Sequence, residues 1–230
     1  MRVLALDTST ECCSVALLNG AVLTMRQEIL ERGHAERVLP MVDELLEEAG
    51  LALADLDGIA FGRGPGSFTG LRIAAGVTQG LALGANLPVA PVSSLAAVAA
   101  QVPAGAGEYV LACNDARMGE IYWAVFRAET DGGVSPLSSE LVSVPDRVGL
   151  GAPAPAHAAG NAISACTALA DRLAAAGVRV HPGVFPRADA VARLGAVVLE
   201  AGRGVPPEEA QPVYVRDDVA RPPGAAVTGM

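Results

Sequence analysis

The chain has 230 residues, 51% of them hydrophobic, a formal charge of −9, and arginine at all 16 of its basic positions. That length leaves room for one large domain or two small ones around a sizeable core, and the apolar content excludes a disordered chain. The acidic balance argues against a free-standing nucleic-acid binder, which needs a basic face to release counterions. The lack of lysine removes any phosphate-loop or Schiff-base lysine.

Residues 3–6 read as a buried strand ending at Asp7, 13–18 as a second strand, and Asn19-Gly20 as a hairpin turn before a third strand over 21–28. Residues 34–49 form an amphipathic helix: Val38, Met41, Val42, Leu45, Leu46 and Ala49 keep helical spacing, Pro40 lies close enough to the start to be tolerated, and Gly50 suits a C-terminal cap. A strand over 59–61, a glycine turn, a helix over 68–83, a strand over 89–92 and a helix over 94–100 complete a first lobe, with a boundary in the Pro/Gly-rich stretch 103–107. Residues 73–107 are uncharged, but Gln79, Asn86, Pro88 and Pro91 interrupt them, so the pattern predicts buried elements and not a membrane span.

The second half opens like the first. Residues 109–115 parallel the first strand, 121–126 the second, and Asp115 falls in the register of Asp7. A third strand is expected within 138–144, a break at 151–155, a short strand over 157–160, one helix over 162–176 and a last long helix over 188–201. Internal similarity at this scale implies two related α/β lobes, 1–104 and 105–220, facing each other across a cleft. The last helix belongs to the second lobe or packs back on the first, and 221–230 is expected to be a disordered tail.

The four cysteines, Cys12, Cys13, Cys113 and Cys166, lack C-x-x-C spacing and fit core packing in a reduced, cytosolic protein with no signal-peptide pattern. The stretch Gly62-Arg63-Gly64-Pro65-Gly66-Ser67-Phe68-Thr69-Gly70-Leu71-Arg72 is more pointed. A strand, a glycine turn and a helix N-terminus in that order can gather backbone N–H groups on an anion. Asp7, Gly64, Gly66, Ser67, Thr69 and Asp115 are therefore candidates for a nucleotide or anion site, Arg63 and Arg72 for phosphate contacts. The alternatives are structural: aspartates that cap the following turns, glycines that shape the helix start, and arginines that are exposed or bridge the lobes. The stretch is neither a lysine-bearing phosphate loop nor a G-x-S-x-G nucleophile elbow.

Four segments in order carry a resemblance: Leu4-Ala5-Leu6-Asp7-Thr8-Ser9-Thr10, Gly62 through Arg72, Asn114-Asp115-Ala116-Arg117-Met118-Gly119-Glu120-Ile121-Tyr122, and Gln211-Pro212-Val213-Tyr214-Val215-Arg216. The chain resembles the bacterial TsaB (YeaZ) family, in the TsaD/Kae-like branch of the actin/sugar-kinase/Hsp70 superfamily. The resemblance implies two lobes of ribonuclease H-like type, each a mixed sheet with helices, the second lobe reduced. It implies a non-catalytic cytoplasmic scaffold that works with TsaD and TsaE to form N6-threonylcarbamoyladenosine (t6A) at position 37 of tRNAs reading codons that start with A. In that system TsaD transfers threonylcarbamoyl from threonylcarbamoyl-AMP. The scaffold has no cofactor of its own, although ATP or ADP at the junction with TsaD fits; it meets tRNA only within the complex and forms a homodimer when alone.

TsaD relatives carry a metal-binding His-x-x-x-His after the strand that follows the glycine turn. Ser94 and Val98 stand there in this chain, and neither is a useful metal ligand. His34, His157 and His181 show no ligand spacing. The resemblance turns the helices 34–49 and 68–83 toward TsaD or a second copy, with His34, Val38, Met41, Val42, Leu45, Phe68, Arg72 and Gly76 as candidate interface residues. The same apolar stripes also read as intramolecular core, and the two readings combine: each stripe faces the sheet while exposed edges of the two helices make a helix-bundle interface. A small-molecule kinase or ATPase using Asp7 and the glycine turn is the enzyme alternative.

Overall fold

The computed structural model describes residues 1–216. The expected tail at 221–230, with the last four residues assigned to the second lobe, lies outside the described residues.

Lobe 1 is built on β1 (Arg2–Asp7), β2 (Cys12–Asn19), β3 (Val22–Ile29), β4 (Gly58–Gly64) and β5 (Val89–Ser93), in the order β3-β2-β1-β4-β5. The first three strands are antiparallel neighbours; β4 and β5 add in parallel, which requires the crossover helices α1 (His34–Ala49) and α2 (Phe68–Ala85). Alternation along β1 divides the core. Leu4 and Leu6 face Val38, Met41, Val42 and Leu45 of α1 and Ala74 of α2, whereas Val3 and Ala5 face the opposite side.

That opposite side is covered from a distance in sequence. Helix α6 (Ala188–Glu200) lies across β1, β4 and β5 with Ala188, Val191, Ala192 and Leu199 buried. It approaches closely because position 195 is glycine: a Cβ there would lie 2.4 Å from that of Ala60. The last long helix therefore packs on the first lobe. Helix α3 (Ser94–Ala99) shares this middle layer and turns Leu95, Val98 and Ala99 toward the second sheet.

Lobe 2 repeats the plan with β6 (Tyr109–Arg117), β7 (Glu120–Ala128), β8 (Val134–Pro136), β9 (Leu141–Ser143), β10 (His157–Gly160) and β11 (Arg179–Pro182), in the order β11-β10-β6-β7-β8 with β9 also on β7. Helices α4 (Asn161–Ala165) and α5 (Thr167–Ala175) lie between β10 and β11, as α2 lies between β4 and β5. The lobe is reduced because, among the described residues, only a 3-10 turn over Pro145–Arg147 stands where lobe 1 has α1. The loop over 144–150 covers Trp123 instead, with Val148 buried and Arg172 donating to the carbonyl of Val148 (3.1 Å).

One local expectation changes, and two short strands are added to those expected. The single helix over 162–176 is broken at Cys166, which is extended (φ −133°, ψ 98°). Ile163 and Leu169 are six residues apart, out of helical phase, and the break lets both enter the core with Leu173. The strand expected within 138–144 is β9, and a further short strand, β8, precedes it; both pair with β7. Strand β11 gave no apolar run to read, because it is a four-residue edge with Arg179 and Val180 exposed. Among the described residues no helix is long and apolar enough to cross a membrane.

Candidate functional site

The cleft between the lobes, about 1260 Å³, is floored by the turn after β1, the glycine turn, and the β6–β7 turn. Its chemistry depends on what those backbones already hold. Asp7 is fully buried. Its Oδ1 accepts from the backbone N–H (2.8 Å) and hydroxyl (2.7 Å) of Ser9, and its Oδ2 from the Ser94 hydroxyl (3.0 Å). Burial pushes the Asp7 carboxyl up to about 6, against the opposing pull of the Ser9 and Ser94 hydrogen bonds. Asp7 thus caps its turn and ties β1 to α3, and every bond it makes points into protein. Gly62 exists for this carboxylate: a Cβ there would lie 1.8 Å from Asp7 Oδ2.

The glycine turn is filled in the same way. The Ser67 N–H donates to the Ser9 carbonyl (2.7 Å), and the Thr8 hydroxyl donates to the Gly70 carbonyl (2.7 Å). A Cβ at Gly66 would lie 2.4 Å from the Ser9 oxygen, and one at Gly70 1.9 Å from the Thr8 oxygen. These glycines let two backbones touch. Gly64 has φ 106°, a left-handed value that favours glycine, and faces the Val213 carbonyl. The Ser67 side chain caps α2 through the Gly70 N–H (3.4 Å). Thr69 is exposed on the first turn of α2.

Asp115 does not join Asp7. Its Oδ1 accepts the Arg117 N–H (2.8 Å), its Oδ2 pairs with the Arg117 guanidinium (3.2 Å), and its own N–H donates to Asn161 Oδ1 (2.8 Å). Of the expected cradle, Asp7 is turned into the fold, the Ser67 N–H is taken by the Ser9 carbonyl and Asp115 pairs with Arg117, while Gly66 and Thr69 line the cleft. The kinase reading, which needs Asp7 free to act at the cleft, loses its support on this geometry.

The helix candidates separate just as sharply. Val38, Met41, Val42 and Leu45 are buried at 0–2% exposure against β1 and β2, so the intramolecular core, not a partner, takes them. A helix over a sheet turns its apolar stripe inward, and their spacing records that stripe. His34 stands at the cleft with Nε2 2.9 Å from the Thr10 carbonyl. Phe68 (39% exposed), Arg72 and Gly76 remain accessible, and a Cβ at Gly76 would meet nothing within 4 Å.

The segment Gln211–Arg216 carried the resemblance in the sequence but no sign of its role, which is to bridge the lobes. The segment following Ala210 runs without regular structure from lobe 1 to lobe 2. Val213 donates to the Arg63 carbonyl (2.8 Å), and the Tyr214 hydroxyl meets Arg72 Nε (3.2 Å). Arg72 lies over the Phe68 ring, 3.7 Å from its centroid. Val215 enters the lobe 2 core, and Arg216 donates to the Ala116 carbonyl (3.2 Å) and pairs with Glu120. Arg63 reaches across to Glu140 (3.0 Å), the lobe-bridging role its sequence position allowed. Glu11 meets Asn161 (3.4 Å) and Arg117 (3.8 Å) across the cleft.

The position of the metal motif is equally closed. Ser94 is fully buried and its hydroxyl is spent on Asp7; Val98 is fully buried in the layer between the lobes.

Two α/β lobes of mixed sheets around a cleft, with aspartate-capped turns and a glycine turn at its floor, define a protein of the actin/sugar-kinase/Hsp70 type. The family described as TsaD, tRNA N6-adenosine threonylcarbamoyltransferase, matches residues 25–179. A protein of Escherichia coli (strain K12), described as tRNA threonylcarbamoyladenosine biosynthesis protein TsaB, is 40% identical over 227 residues, 96% of each chain. A protein of the same description in Haemophilus influenzae is 54% identical over 125 residues, covering 54% of this chain and 53% of that one. The solved structure of YeaZ from Pseudomonas aeruginosa superposes with a TM-score of 0.80 at 40% identity, covering 93% of this chain and 99% of its own. The chain belongs to the TsaB (YeaZ) family.

Proposed function

We propose that this chain is a non-catalytic subunit of the machinery that makes t6A in tRNA, supporting TsaD as its scaffold. The observation that carries the reading is the state of the metal-motif position. Ser94 and Val98 offer no ligand, and burial with the Ser94–Asp7 hydrogen bond makes them part of the fold. Membership of the TsaB family supplies the process, and Asp7, buried and bonded to Ser9 and Ser94, is not free to act at the cleft.

The docking face is the accessible side of α2. Gly76, Gly80 and Gly84 recur at one helical turn with open space above each, and Phe68 and Arg72 stand at one end. Small residues at this spacing let a helix backbone approach closely, and the aromatic and guanidinium groups anchor it. TsaD takes this face in the complex, and a second copy takes it when TsaD is absent. TsaE and tRNA join through the assembled complex, ATP or ADP at the junction belongs to the assembly, and the setting is the cytoplasm.

Reconstitution tests this directly. TsaD, TsaE, tRNA and threonylcarbamoyl-AMP should yield t6A only when this chain is added, and the chain alone should yield none. Undiminished transfer without it overturns the reading. Gly76→Gln should weaken TsaD binding by about tenfold or more through steric exclusion. The fold should be slightly more stable, because glycine in an exposed helix interior costs roughly 0.5–1 kcal/mol.

A further inference from the structure

One cluster outside the cleft takes no part in the proposed scaffold role: Glu108, His157, Arg179 and His181 at the β10–β11 edge of lobe 2. His157 begins β10 opposite Arg179, and His181 lies two residues further along β11 opposite Ala159, so alternation puts both imidazoles on one face. His157 is 2% exposed. Its Nε2 lies 3.1 Å from Glu108 Oε2, and its Nδ1 lies 3.0 Å from His181 Nε2.

Glu108 sets the electronic state of the pair. Its carboxylate also accepts the Gly105 N–H (2.6 Å) and Arg179 Nη2 (3.0 Å). An ionised carboxylate can only accept, so the Nε2 facing Glu108 carries a proton, and in the neutral ring the Nδ1 lone pair faces His181. Carboxylates orient metal-binding histidines in this manner.

Two imidazole nitrogens bound at 2.0–2.1 Å around a tetrahedral centre are about 3.3–3.4 Å apart. The observed 3.0 Å needs only a small rotation of half-exposed His181. We infer that His157 Nδ1 and His181 Nε2 form a two-histidine site for a borderline divalent cation of the zinc, cobalt or nickel class, oriented by Glu108 and completed by water. Among the described residues no His, Cys, Asp or Glu group of three or more is placed to hold a metal, so solvent fills the remaining positions. Binding moves the His181 proton from Nε2 to Nδ1 and releases none. Bound metal would clip β11, an edge strand paired only with β10, to the rest of the lobe.

Titration of the full chain with Co2+, read by d–d absorption, with Zn2+ in competition, tests the site. One equivalent should bind, and Zn2+ should raise Tm. His181→Ala lies on the edge strand and should fold normally by circular dichroism, yet lose about tenfold or more in affinity and lose the Tm shift. Cys166→Ser should bind as the wild type does. A plain histidine–histidine hydrogen bond gives the opposite results. No one-equivalent binding up to about 1 mM metal, retention of binding in His181→Ala, or its loss in Cys166→Ser overturns the inference. None of these outcomes depends on TsaD or tRNA, so the site and the scaffold reading fail separately.

Discussion

Lobe 1 and lobe 2 begin with the same strand–aspartate–turn plan, yet Asp7 and Asp115 live in different media. Asp7 is sealed beneath Ser9, Ser94 and the glycine turn, and burial raises its carboxyl to about 6. Asp115 stays half-exposed beside Arg117, at a turn whose tip residue, Met118, is exposed. The difference comes from the elements packed beside each aspartate. Lobe 1 has a glycine turn that lies on its first turn and a helix, α3, that offers Ser94. Lobe 2 has the same strand order with a 3-10 turn in place of α1, and its corresponding turn joins the opposite lobe through Arg117, Asn161 and Glu11. One plan thus gives a closed, rigid turn and an open, bridging one.

The largest blow to that contrast is Gly70→Ala. Its Cβ would fall 1.9 Å from the Thr8 oxygen, backbone against backbone, so the two turns of lobe 1 must part. A loss of about 3 kcal/mol or more is expected in urea unfolding, against a small gain for Gly76→Ala on the open face of the same helix. Val42→Asp comes next. It puts a carboxylate among Leu4, Leu6 and Leu45 and should cost roughly 3 kcal/mol, so any loss of TsaD binding in this variant is loss of fold.

Asp7→Asn should act with the opposite sign. Because the folded chain raises the Asp7 pKa from 3.8 to about 6, it holds that proton more tightly than the unfolded chain. Stability from this group is present at low pH and lost as pH rises through that window. An amide keeps the two Ser9 bonds and can donate to Ser94, so the variant should gain on the order of 2–3 kcal/mol at pH 8 and little at pH 4. Asp115→Asn should change unfolding at pH 8 by less than about 1 kcal/mol. A less stable Asp7→Asn at pH 8 would show that the charge itself holds lobe 1 together. Arg216→Ala should cost about 1 kcal/mol, with faster hydrogen exchange at the β6–β7 turn as the segment ending there loosens.

Much of the fold was legible because the signals were local. Leu4 and Leu6 alternate with Val3 and Ala5, Asn19-Gly20 marks a hairpin, and the α1 stripe keeps helical period. The break at Cys166 was not legible, since Ala-rich sequence suits one helix and only the shared core of Ile163 and Leu169 forces two. The glycines of the turn were visible as close approaches, but what approaches them is Ser9 and Thr8, in the turn after another strand. The α1 stripe fits a partner or a core equally well until β1 and β2 are seen beneath it.

The sequence by itself determined the two-lobe repeat, the aspartate at the end of each first strand, the loss of the histidine pair at positions 94 and 98, and thereby the family. These are properties of residue type and period, which a chain carries whether folded or not. The tertiary structure decided which polar groups are satisfied and by whom: Ser67 by Ser9, Asp7 by Ser94, Arg216 by Glu120, His157 by Glu108 and His181. Those pairings join residues up to 96 positions apart, and a hydrogen bond acts over a few ångströms without regard to sequence distance.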